Sequence, residues 1–78
     1  MQVTVHYFAV LKERAGCDQA VVEVQSPSTV GGLYAQIFPP GPQGVVPVMF
    51  AVNQTYVGAE HSLTDGDEVA FIPPLGGG

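Results

Sequence analysis

One amphipathic stripe divides this chain into halves that must be read differently. Val30, Leu33, Tyr34, Ile37 and Phe38 fall at i, i+3, i+4, i+7 and i+8, a spacing that puts five apolar side chains on one side of a helix. Thr29 stands at the N-cap position, where a hydroxyl can accept one of the orphan N–H groups of the first turn. Gly31 and Gly32 each weaken such a helix by about 1 kcal/mol relative to alanine. The stripe therefore has to be held by packing rather than by propensity. Pro39 and Pro40 stop it, and residues 39–47 read as a loop rich in Pro and Gly.

On both sides of the stripe the apolar residues alternate. Val3, Val5 and Tyr7 alternate with Thr4, His6 and Phe8, a half-buried strand that leaves Phe8 on its mostly polar face. Residues 11–15 fit one helical turn closed by Gly16 in a left-handed cap. Ala20, Val22 and Val24 then alternate with Val21, Glu23 and Gln25, and the two strands read as a hairpin. Beyond the stripe, residues 48–57 read as a third strand broken near Gln54, with Phe50 and Val52 on one face and Ala51 and Asn53 on the other. Leu63-Thr64-Asp65-Gly66-Asp67 is a turn with Asp-Gly at its tip. Glu68 starts the last strand, in which Val69 and Phe71 face inward and Ala70 and Ile72 outward.

The order is strand, strand, helix, strand, strand. At 78 residues the chain is one domain, too short for a doubly wound sheet, so a single mixed sheet gripping one helix, an α+β architecture, is the economical solution. Apolar content of 46% against 12% charged residues argues against disorder. The mean hydropathy of +0.27 is high for a small domain and points to an apolar contact surface.

The net charge is −5 and Lys12 and Arg14 are the only cations, a balance that disfavours nucleic acid and anionic membranes as partners and favours basic proteins. Cys17 is the sole cysteine, so neither a disulfide framework nor a CxxC metal site is available. With no basic stretch leading into an apolar run at the N-terminus, the expected setting is the cytoplasm. Asn53-Gln54-Thr55 matches a glycosylation sequon, which means little without a secretory signal.

Candidates for chemistry within the domain are few. Asp65, Asp67 and Glu68 crowd one tight turn and read as a solvated turn that fixes register, without the spacing of a calcium loop. His6 and His61 have no partner at ligand spacing and read as surface histidines. Cys17 reads as an incidental thiol.

The informative segment is the last one, Ile72-Pro73-Pro74-Leu75-Gly76-Gly77-Gly78. Glycine-rich ends are ordinarily frayed. Here the glycines follow directly on a strand, behind two prolines that end the ladder and stiffen the base, with nothing trailing. Residues without Cβ adopt nearly any φ/ψ and thread passages too narrow for side chains, and four extended residues after Pro74 reach roughly 13–14 Å. The segment reads as a stalk that delivers the Gly78 carboxylate into another protein's active site. Phe8, Tyr56 and Ile72 fall where the alternation expects solvent. Clustered near the stalk, and joined by Leu75, they would form a docking patch.

Three runs then carry a resemblance over nearly the whole chain: Ala51-Val52-Asn53-Gln54-Thr55-Tyr56-Val57, Leu63-Thr64-Asp65-Gly66-Asp67-Glu68-Val69-Ala70-Phe71-Ile72-Pro73-Pro74, and the terminal Gly77-Gly78. Together with Tyr7-Phe8-Ala9 and residues 13–16 they closely resemble the small, sulfur-carrying subunits of molybdopterin synthase. The resemblance implies a ubiquitin-like β-grasp whose Gly78 carboxylate is adenylated by a ubiquitin-activating-type enzyme using ATP and then converted to a thiocarboxylate. A sulfur donor protein would supply the sulfur. The large synthase subunit would receive the tail, Gly76 and Gly77 included, and sulfur would pass to cyclic pyranopterin monophosphate in a heterotetrameric synthase. In that family the patch beside the tail contacts the large subunit, at positions matching Phe8, Tyr56 and Ile72. No cofactor is expected to be permanently bound, and the chain is not expected to be an enzyme by itself.

Gly76 departs from the family, where a side chain is more usual, as do the paired helix glycines and the Pro-rich loop. Three other readings share the tail: a sulfur carrier for thiamine synthesis or tRNA thiolation, a ubiquitin-like modifier conjugated through Gly78, and a β-grasp interaction module with an idle tail.

Overall fold

A computed structural model of the chain describes residues 1–39 and 48–73. Its elements are β1 (Gln2–Tyr7), α1 (Val10–Ala15), β2 (Gln19–Glu23), α2 (Val30–Ile37), β3 (Met49–Val52), β4 (Thr55–Val57) and β5 (Glu68–Ile72). The five strands form one sheet in the order β2-β1-β5-β3-β4. β1 and β5 run parallel at its centre, with Tyr7 opposite Phe71, and the other pairs are antiparallel.

Alternation sets the two faces. Val3, Val5, Tyr7, Val69 and Phe71 are buried on one side, where α2 covers them with Val30, Leu33 and Tyr34. Phe71 is the hub of this core. Its fully buried ring meets those of Tyr7, Tyr34, Phe38 and Phe50 at centroid distances of 6.4, 5.0, 6.5 and 5.9 Å, tilted or edge to face, the geometry that opposes positive ring edge to negative ring face. Truncation at such a site costs about 3–5 kcal/mol.

The ends of α2 follow local chemistry. Thr29 Oγ1 accepts from the N–H of Gly32 at 3.1 Å, and the N–H groups of Val30 and Gly31 donate to the carbonyls of His61 and Ala59. The expected weakness at Gly31 has a tertiary reason, because the segment after β4 passes directly over its α-carbon. α1 closes at Gly16, whose φ of 80° is left-handed. β2 is shorter than the alternation predicts, ending at Glu23, although Val24 is still buried and its N–H donates to Met1.

The third strand expected over residues 48–57, broken near Gln54, is the hairpin β3–β4, whose turn falls at that break. Asn53 and Gln54 turn the chain with φ of 51° and 69°, and Val52 pairs with Thr55 across them. A two-residue turn with both φ positive matches the twist of the flanking strands. The acidic turn holds register, as its residues suggested. Asp65 Oδ1 accepts from the N–H of Gln2, Asp67 accepts from the N–H of Thr64 and from the Asn53 amide, and Asn53 Oδ1 accepts from the N–H of Glu68. The β3–β4 turn is thereby tied to the start of β5.

Candidate functional site: the outer sheet face at the end of β5

The sheet face opposite α2 carries no helix among the described residues, and register fixes what lies on it. One row runs Gln19, His6, Ala70, Ala51, Tyr56 across β2, β1, β5, β3 and β4. The next row holds Met49 opposite Ile72, with Phe8 one step past the Tyr7–Phe71 pair. Phe8, Met49 and Tyr56 are 47%, 56% and 65% exposed, Ile72 and Ala70 are half-buried and Ala51 is buried. Alanines at the centre of the face keep it low between the larger side chains.

Because β5 runs parallel to β1, its C-terminal end lies beside Phe8. Pro73, buried, ends the described chain there. Phe8, Tyr56 and Ile72 thus share one face, at the end of the sheet from which residues 74–78 continue. Leu75, Gly76, Gly77 and Gly78 lie outside the described residues. Met49 belongs to the same patch and was overlooked in the sequence, although alternation with Phe50 and Val52 places it outward.

Phe8 is presented by a strained corner. Its carbonyl accepts from the N–H of Leu11 at 3.0 Å while Ala9 sits at φ 52°, ψ −126°, a region glycine tolerates and alanine does not. Beside it His6, Tyr7, Phe8, Lys12, Asp18 and Gln19 line a shallow cleft of about 300 Å³. His6 Nε2 stands 3.0 Å from Glu68 Oε1 on the neighbouring strand. This pairing was not legible in the sequence, where the two residues are far apart. His61 and Cys17 are exposed, and among the described residues no group of three His, Cys, Asp or Glu is placed to hold a metal ion.

A five-stranded mixed sheet with a parallel central pair, one face covered by a helix and the other carrying none among the described residues, is the ubiquitin-like β-grasp. The solved structure of the modifier protein SAMP1 from Haloferax volcanii superposes with a TM-score of 0.79 at 26% identity, covering 100% of both chains. That of a putative molybdopterin converting factor subunit 1 from Pyrococcus furiosus superposes with a TM-score of 0.78 at 28% identity, over 96% of this chain and 99% of that one. The chain belongs to the ThiS family, whose model matches residues 5–78. A molybdopterin synthase sulfur carrier subunit from Chlamydomonas reinhardtii is 41% identical over 100% of both sequences. Among the described residues no helix is long and apolar enough to cross a membrane.

Proposed function

We infer that this protein is the sulfur-carrying subunit of a molybdopterin synthase. The full-length likeness to a sulfur carrier subunit of that enzyme carries the reading, and the position of the apolar face supports it. That branch is favoured over the thiamine, tRNA and modifier alternatives.

A carboxylate resists attack until one oxygen becomes a leaving group. The Gly78 carboxylate attacks the α-phosphorus of ATP in the active site of an adenylating partner, releasing pyrophosphate and leaving a mixed anhydride. Sulfur supplied by a donor protein at the sulfide level then attacks the acyl carbon, AMP departs with the bridging oxygen, and a thiocarboxylate remains. The large synthase subunit receives the tail, and sulfur passes to cyclic pyranopterin monophosphate to build the dithiolene. Glycine at positions 76, 77 and 78 leaves the acyl carbon unhindered and the stalk thin. Phe8, Met49, Tyr56 and Ile72 supply the apolar contact that positions it, and Leu75 adds an anchor at the base of the stalk. The domain is a handle, and catalysis belongs to its partners.

Intact mass spectrometry tests this after incubation with ATP, a sulfur source and the adenylating enzyme. One oxygen replaced by one sulfur, confined to the C-terminal peptide, is the expected result. No change, with the enzyme active on a control carrier, overturns it.

A further inference from the structure

On the outer face, beside the apolar side chains of Phe8, Ile72, Met49 and Tyr56, His6 on β1 and Glu68 on β5 meet at 3.0 Å. We propose that this pair makes docking proton-linked, so that covering the outer face draws a proton onto His6 and the complex is tighter in mild acid than in mild alkali. The proposal rests on the reading of this face as the one that meets the large subunit.

Position puts the pair at the edge of such a contact. Phe8 follows β1 and Tyr56 lies on β4, three strand spacings away in the order β1-β5-β3-β4, or roughly 14 Å. A partner touching both spans Ala70 and Ala51 on β5 and β3, and the pair borders that span. His6 is the cross-strand neighbour of Ala70 and lies two residues before Phe8, and Glu68 lies two residues before Ala70. His6 and Glu68 have side chains 31% and 66% exposed, so in the free protein water screens their attraction and the pair is worth little.

Docking changes the surroundings of both groups. Once the large subunit displaces that water, a neutral imidazole would leave the Glu68 carboxylate as a net buried charge, hydrogen-bonded but uncompensated. An imidazolium cancels it at short range, where attraction is strengthened by the lower effective dielectric. The other charged groups facing His6 are Lys12 of α1 and Asp18 before β2, which line the same cleft and are of opposite sign. On β2 its direct neighbour is Gln19 and on β5 Ala70, neither of which titrates. Glu68 is therefore the unbalanced partner. A histidine pKa higher in the complex than in the free protein means that docking takes up a proton. The extra affinity is fully present below the free pKa and is lost as pH rises through the pKa of the complex.

The test is calorimetric titration of the full chain with the large synthase subunit of the same source, between about pH 6 and pH 8. Repeating it in two buffers of different ionisation enthalpy reads proton uptake directly. The expected result is uptake of a fraction of a proton near neutrality and an affinity that falls by up to about tenfold for each unit by which docking raises the pKa. His6→Gln keeps a hydrogen-bond donor for Glu68 but cannot titrate, and should bind with no uptake and a flat profile. NMR titration of the His6 ring in the wild-type protein, free and bound, reads the same shift without a variant. Binding without uptake, an unshifted ring, or uptake that persists in His6→Gln overturns the inference alone. Failure of the wild-type protein to bind at any pH overturns the docking reading and the inference with it.

Discussion

The N–H of Gly31 donates to the carbonyl of Ala59 at 2.8 Å, and a Cβ built on Gly31 would lie 2.8 Å from the Cβ and 2.9 Å from the carbonyl oxygen of that same alanine. The helix and the segment after β4 are in contact because residue 31 has no side chain. Gly31→Ala should gain about 1 kcal/mol of helix propensity and lose more, since the obstructing atoms include backbone that cannot rotate away. A net destabilisation of about 1–3 kcal/mol is expected in urea unfolding. At Gly32 a Cβ meets only the Thr29 hydroxyl, at 3.2 Å. Gly32→Ala should therefore stay within about 1 kcal/mol of the parent, and equal losses at both positions would refute this account.

Asn53 and Gln54 both hold positive φ, yet only asparagine is commonly found there. Gln54→Gly creates the Asn-Gly pair that favours this turn and should raise stability by about 0.5–1 kcal/mol, read from the denaturant midpoint. The gain exists only because β3 and β4 are a hairpin. In a continuous strand the same change would destabilise.

The strands with one buried face were legible because alternation reports burial directly, as Val3, Val5 and Tyr7 in β1 and Val69 and Phe71 in β5 show. Thr29 and Gly16 were legible because capping is local chemistry. At β3–β4 the break near Gln54 was legible but the reversal of the chain there was not, because glutamine has no preference for the conformation it adopts, and the ladder on either side imposes it. The reason for Gly31 was hidden for a different cause, since the atom that excludes a side chain belongs to Ala59. At the site, Phe8, Tyr56 and Ile72 were readable as misplaced apolar residues; register puts Tyr56 and Ile72 on one face, with Phe8 one residue past the paired part of β1. Met49 carried the same signal but comes directly after the Pro-rich run in the sequence, where the phase of the alternation is hard to see. The meeting of His6 with Glu68 needed the parallel pairing of β1 with β5, which no local pattern encodes.

Tyr7 and Tyr34 lie in the core, and burial raises the pKa of both phenols. Cys17 adds to the shift at Tyr7, while Arg14 opposes it at Tyr34. A raised value means that the folded state holds these protons after the unfolded state has released them. Their contribution is complete below the unfolded value of about 10 and is lost as pH climbs above it. Thermal unfolding followed from neutral to strongly alkaline pH should show a decline beginning near pH 10. Cys17→Ser should soften the part due to Tyr7, and a midpoint unchanged across that range would contradict the assignment.

Met49 and Ile72 face each other on β3 and β5, the first 56% exposed and the second half-buried, and no helix covers them among the described residues. A cation there costs the free protein little, because water still reaches it. Under an apolar partner the same charge would be stripped of water with no counter-ion. Met49→Lys and Ile72→Lys should each weaken binding to the large synthase subunit by about 1–2 kcal/mol or more, with the larger loss at Ile72 because it adjoins the start of the stalk. Met49→Lys should keep its unfolding midpoint within about 0.5 kcal/mol of the parent. Gln36→Lys adds the same charge at an exposed position on α2, across the sheet, and should leave affinity unchanged. That control separates desolvation at the contact from a general effect of net charge, since the protein carries −5 and each variant shifts it equally. Equal affinity for all three variants would remove the outer face from the interface, whereas loss at Met49 and Ile72 alone would fix its centre between β3 and β5.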